Sequence, residues 1–135
     1  MFPRWVYLLL LGAYAVTLGV ITLRALPETG GSSSWIPFVT IWRLLTESGP
    51  NSYFTIGSLV GNMALFVPLG WLLPMIWPQL RSLQRVVVAA AASSIAIELV
   101  QFAIPGRSPT TDDVLLNTVG GLIGAIMFFA PREAG

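Results

Sequence analysis

The sequence contains no cysteine, no histidine and no lysine. Without cysteine there is neither a disulfide framework nor a thiolate metal site. Without histidine the chain lacks the commonest general base and the commonest transition-metal ligand. Without lysine, Schiff-base chemistry and P-loop phosphate binding are excluded. Any chemistry falls to Asp, Glu, Arg, Asn, Gln, Ser, Thr or Tyr. Charge is scarce as well. Seven arginines and six acids make up 10% of the 135 residues, against about 25% in a soluble globular domain. So few charges cannot clothe a chain of this length in water. A net charge of +1 gives no electrostatic footprint for nucleic acid. Disorder is excluded by the 55% of hydrophobic residues, because a disordered chain needs low hydrophobicity and high charge. The length fits one domain, 1–135, whose solvent is largely lipid.

A bilayer core of about 30 Å is crossed by roughly 20 mostly apolar residues in a helix. Four stretches qualify, at about 5–26, 55–77, 86–104 and 114–130. They predict an all-α bundle of four transmembrane helices. The first is read as an uncleaved span. Arg4 precedes it, but its apolar run is longer than the roughly 7–15 residues of a signal peptide and no small-x-small cleavage site follows. With an even number of spans, Arg4, Arg81, Arg85 and Arg132 share one side. Arg24, Arg43 and Arg107 share the other with Glu28, Glu47, Asp112 and Asp113. Arg81 and Arg85 crowd a short turn, where the positive-inside rule acts best, so both termini are expected in the cytoplasm.

Residues 27–54 then form an outside loop. Gly30 to Ser34 make a flexible turn. Trp35, Phe38, Val39, Trp42 and Leu45 follow at helical spacing, with Thr40, Arg43 and Glu47 on the other side. This predicts a short amphipathic helix over about 35–47, lying in the interface with its Trp rings at headgroup level. Leu26 to Gly30 spells the sortase pattern LPETG, but after a first span rather than before a C-terminal anchor, so it is read as coincidence. In the second span, Pro68 and Pro74 each remove a backbone hydrogen bond, and a kink near Phe66–Gly70 is expected. Gly57 with Gly61, Gly120 with Gly124, and the small run Ala89–Ser94 mark faces where helices can approach closely.

The intramembrane polar residues carry the functional information. A charge at mid-bilayer costs about 2.5–3.5 kcal/mol on insertion scales, so Glu98 requires a partner, a cavity or a proton. Glu98 and Gln101 share a helix face, as do Asp113 and Asn117 if the last helix begins by Asp112. Counting at 1.5 Å per residue from the outer side brings Asn62, Glu98, Gln101, Asp113 and Asn117 to a similar depth on three helices. Between the last two spans, Pro105 to Asp113 form a turn, in which Thr111 or Asp112 is expected to cap the following helix. Arg107 in this turn can neutralise Glu98 or Asp113, or take a phosphate or carboxylate from outside. Three uses of the cluster stand open. It is interhelical glue at about 0.6 kcal/mol per hydrogen bond, or it binds an anionic headgroup, or it is catalytic. In the catalytic case Glu98 acts as general base or acid and Asp113 as orienter or metal ligand. No metal site is assigned, and no cofactor is named by these residues.

Several blocks resemble those of the VanZ-like membrane proteins. Asn62-Met63-Ala64-Leu65-Phe66-Val67-Pro68-Leu69-Gly70 is similar to their N-x-x-x-F-x-P-x-G element, and Glu98-Leu99-Val100-Gln101 to their E-x-x-Q. Gly106-Arg107, Asp112-Asp113-Val114 and Asn117-Thr118-Val119-Gly120-Gly121 resemble the later G-R, D-D/D-V and N-T-x-G blocks. Trp35-Ile36-Pro37-Phe38 resembles an earlier I/V-P-F element. The blocks run in order from about Ile36 to Gly124. The resemblance implies a bacterial integral membrane protein of the cell envelope, in a family linked to glycopeptide and teicoplanin resistance. The site expected here comprises Glu98 and Asp113 as chemical residues, with Asn62, Gln101, Arg107, Asp112 and Asn117 as binding residues, facing outward. Its partner would be membrane lipid, above all an anionic lipid or lipid-linked envelope component. The alternative is a non-catalytic accessory subunit packed against a larger membrane complex; nucleic acid is not a partner.

Overall fold

The computed structural model describes residues 2–23, 36–46, 50–105 and 110–133, and within them the side chains except those at 40, 43, 44, 50–55, 58 and 131–133. The Gly30–Ser34 turn, the LPETG stretch, Trp35, Glu47, Arg24 and Arg107 lie outside the described residues.

Every regular element among the described residues is helical. The helices are α1 (Arg4–Leu23), α2 (Val39–Thr46), α3 (Pro50–Ile76), α4 (Leu83–Gln101) and α5 (Thr111–Glu133), with a 3-10 turn at Pro78–Leu80 between α3 and α4. Four of these five, all but α2, are long and apolar enough to cross a bilayer. The 20 residues of α1 rise through about 30 Å, the thickness of the hydrocarbon core.

The start points have local causes. Ser82 caps α4, its side-chain oxygen accepting the Arg85 N–H at 3.3 Å. The expected cap of α5 is corrected by one residue. Thr110 caps it, Oγ1 accepting the Asp113 N–H at 3.2 Å, so Thr111 and Asp112 are already inside the helix. Asp112 and Asp113 sit in the first turn, where carboxylates suit the positive end of the helix dipole.

Pro68 and Pro74 lie within α3 without ending it. Each lacks the N–H that would bond four residues back. Near the first, the Tyr14 hydroxyl of α1 donates to the Leu65 carbonyl at 2.6 Å. Pro78 likewise cannot donate to the Pro74 carbonyl, and there Arg81 Nε does so at 3.2 Å.

The interior is thin, and α3, α4 and α5 make most of it. Phe66, Leu69, Leu73, Val86, Ala90 and Ala125 are buried together, with Leu18 reaching in from α1. A smaller cluster of Tyr7, Leu72 and Ile76 joins α1 to the far end of α3. Backbone contact fixes the α3–α5 seam. A Cβ added at Gly120 would lie 2.0 Å from the Met63 carbonyl oxygen, and one at Gly124 2.0 Å from that of Val67. Gly70 meets the Gly121 carbonyl at the same distance from the other side, and Gly121 meets Ala90 of α4. The expectation for Gly57 and Gly61 is corrected, since nothing lies within 4 Å of a Cβ at either. Outward-facing residues such as Val16, Val20, Val88 and Leu99 are more than 60% exposed. In water that surface would be costly, and in lipid it is solvated.

Candidate functional site: a polar cluster at the α2 end

Each polar side chain reaches the cluster by helical arithmetic. Ser94, Glu98 and Gln101 recur along one face of α4, and all three are buried. Asp113 and Asn117, four apart, share a face of α5. Asn62 stands on α3 one turn before Phe66, which is in the core.

The hydrogen bonds form one connected path and separate links around it. Asn62 Nδ2 donates to Asp113 Oδ1. The Asp113 amide donates to Thr110 Oγ1, and the Thr110 amide donates to Glu98 Oε2 at 3.2 Å. Thr110 therefore meets the Glu98 carboxylate with its amide and the Asp113 backbone N–H with its hydroxyl, while the Asp113 carboxylate itself meets Asn62. One turn deeper, Asn117 Nδ2 donates to Ser94 Oγ at 2.8 Å in a fully buried pair. Gln101 Nε2 donates to the Thr22 carbonyl of α1 at 2.6 Å. Asn62, Glu98, Thr110 and Asp113 are thus joined through bonds, whereas the side-chain bonds of Gln101 and Asn117 go elsewhere.

Asp112 is only 2% exposed. Its carboxylate accepts the backbone N–H of Phe38, just before α2. Phe38 has φ 66°, a left-handed conformation costing roughly 1–2 kcal/mol for a residue with a side chain. That conformation sits at the end of the Ile36-Pro37-Phe38 element, and its carbonyl accepts the Trp42 N–H to start α2. The element is a turn whose amide meets the first of the two aspartates. Sequence reasoning missed this link, and also Thr110, Ser94 and the Thr22 carbonyl. Ser94 alone carried a signal, being a polar residue in phase with Glu98 and Gln101.

Taken together, these bonds connect α1 to α4, α2 to α5, α3 to α5, and α4 to α5 at one end of the bundle. Among the described residues no buried side-chain nitrogen or oxygen is left without a partner, as apolar surroundings demand. The chemistry available is that of two carboxylates, Glu98 held by the Thr110 amide and Asp113 held by the Asn62 side chain.

The family model described as VanZ/LLP1 matches residues 5–131. This chain belongs to the VanZ/LLP1 family. Family membership and the four apolar helices together make it a multi-pass membrane protein. No curated protein and no solved structure matches it. Within this VanZ/LLP1 chain the blocks that carried the resemblance have distinct positions. The N-x-x-x-F-x-P-x-G block supplies Asn62, the buried Phe66 and the close-packed Gly70. The E-x-x-Q block supplies Glu98 and Gln101, and the N-T-x-G block supplies Asn117 and the α3 contact at Gly120.

Proposed function

We propose that this VanZ/LLP1 protein binds, and acts on or with, an anionic lipid or lipid-linked envelope component at the outer face of the bacterial inner membrane. Both termini are cytoplasmic in this reading, because Arg81 and Arg85 stand at the end opposite α2. Glu98 and Asp113 are the chemical residues, and Asn62, Gln101, Arg107, Asp112 and Asn117 bind or frame the ligand. The observation that carries the proposal is the gathering of two carboxylates at one end of the four membrane helices, Glu98 on the Thr110 amide and Asp113 on Asn62. Neutral amides would suffice to hold helices together in lipid, and a carboxylate there costs more than an amide. Arg107 stands three residues before Thr110 in the chain, with the planar, permanently charged group suited to a phosphate. Glu98 would then be the general base or acid toward a group held by that cation.

A second reading has its own support. Ile36, Phe38, Trp42 and Leu45 are each at least 60% exposed and gather at the α2 end. They fit either the headgroup layer or a neighbouring membrane protein. In that reading the protein is a non-catalytic subunit and the polar cluster holds the helices together.

The experiment is Glu98→Gln in nanodiscs doped with undecaprenyl phosphate, a lipid-linked envelope carrier. Retention of that lipid by native mass spectrometry is expected to fall while the protein stays folded. Equal retention by the wild type and the variant would favour the subunit reading.

A further inference from the structure

The other end of the bundle carries two arginines and two grooves that the polar cluster does not use. Arg81 lies just before α4, and Arg85 lies in its first turn. Arg81 gives Nε to the Pro74 carbonyl and Arg85 gives Nη1 to the Gln79 carbonyl at 2.7 Å. Each bond uses one donor and holds the guanidinium in place, leaving most of its N–H groups available. Among the described residues neither arginine is paired with a carboxylate.

Each arginine lines a different groove. The first has a volume of about 410 Å³ and runs between the start of α4 and the end of α5, walled by Leu83, Ile126, Phe129 and Ala130. The second, about 480 Å³, follows the stripe of Gln84, Val88 and Ala92 along α4. Both volumes fall in the range of about 300–1,000 Å³ in which ligand sites occur. Their linings are mainly apolar except at the arginine end.

We propose that this end holds one anionic diacyl phospholipid, its phosphate between Arg81 and Arg85 and one acyl chain in each groove. Charge complementarity selects the occupant. Two guanidiniums that pair with no carboxylate among the described residues favour a phosphodiester carrying net negative charge over a zwitterion, whose own cation would be repelled. Two apolar grooves, each lined by one of the arginines, favour two chains over a soluble phosphate. Basic pockets between transmembrane helices are a general way of holding such headgroups. The Arg81 bond to Pro74 then has a second consequence. It fixes the end of α3 and the headgroup contact through one side chain, so a bound lipid would steady the proline-rich end of that helix.

The test uses the full chain in nanodiscs of equal phosphatidylglycerol and phosphatidylcholine, with retained lipids identified by native mass spectrometry. Phosphatidylglycerol is expected to be enriched over phosphatidylcholine by on the order of tenfold, given two near-surface arginines. The R81Q/R85Q double variant should bring the ratio close to parity. Because Arg81 also supports α3, Ala92→Trp provides a second arm that fills a groove and keeps both arginines. It should lower phosphatidylglycerol retention at wild-type helicity. Parity in the wild type, or unchanged enrichment in R81Q/R85Q, would overturn the proposal. So would displacement of the lipid by an equal concentration of soluble glycerol phosphate, which would assign the site to a phosphate alone. Glu98→Gln lies at the far end and should leave the phosphatidylglycerol ratio as it is. The two sites therefore fail or survive separately.

Discussion

Replacing Gly124 with alanine tests whether backbone contact holds α3 to α5. The new Cβ would sit 2.0 Å from the Val67 carbonyl oxygen, 2.9 Å from the Trp71 nitrogen and 3.0 Å from the Val67 carbonyl carbon, whereas ordinary contact begins at 3.4 Å. All three atoms are backbone, so no rotamer change relieves the clash. The helices must part by roughly 1 Å, and overpacking of this kind costs about 1–3 kcal/mol. Alanine returns about 1 kcal/mol of helix propensity. A net loss of up to about 2 kcal/mol is expected for Gly124→Ala, and for Gly120→Ala by the same geometry at Met63. Gly57→Ala and Gly61→Ala are the controls. Nothing lies within 4 Å of either Cβ, so they should be neutral or stabilising by up to about 1 kcal/mol. Steric trapping or denaturant titration in bicelles would measure all four variants. Equal changes in stability from Gly57→Ala and Gly124→Ala would refute the assigned seam.

Reporters fused after Gly31, Ser82, Thr110 and Gly135 should place the first and third outside and the others in the cytoplasm; an outside signal at Ser82 would reverse the proposed orientation. A double-mutant cycle on Asn117→Ala and Ser94→Ala should give a coupling of about 0.6 kcal/mol and at most about 1.7 kcal/mol, the range of intramembrane hydrogen bonds. A coupling of zero would mean that the buried pair is not formed. Asp112→Ala strips the Phe38 amide of its acceptor, so amide exchange across 39–46 should accelerate relative to α3; unchanged protection would show α2 held by its other contacts.

Much of this architecture is legible in the sequence because lipid imposes simple demands. Long apolar runs must be helical, and α1, α3, α4 and α5 lie where those runs are. The starts are less legible, because a run's edge is set by charge and a helix's edge by capping. Hydropathy excludes Asp112 and Asp113, so the last span was expected from about 114. The Thr110 cap instead draws both aspartates into the first turn of α5. Small-xxx-small spacing identifies a narrow helix face without saying whether a neighbour uses it. Gly120 and Gly124 are used, Gly57 and Gly61 are not, and Gly70 pairs with a residue outside the expected pattern.

The polar cluster divides the same way. Helix periodicity and depth brought Asn62 and Asp113 near each other on paper, and the two are bonded. Glu98 is linked to Asp113 through Thr110, a residue without an apolar phase or a charge to mark it. The partners of Asp112 and Gln101 are a backbone amide and a backbone carbonyl. Every residue has the carbonyl and every residue but proline the amide N–H, so no residue type announces them. The positive φ at Phe38 belongs to the same class, because an aromatic residue is not where such a conformation is expected.

The most direct test of the central claim is Glu98→Gln, measured for stability and for retention of undecaprenyl phosphate in the same nanodisc preparation. The amide oxygen can still accept the Thr110 N–H, so unfolding free energy should stay within about 0.5–1.5 kcal/mol of wild type, the worth of one hydrogen bond. The account predicts a folded protein that loses the polyprenyl phosphate. A folded variant that retains it as well as the wild type would contradict the account and assign the cluster to holding helices together.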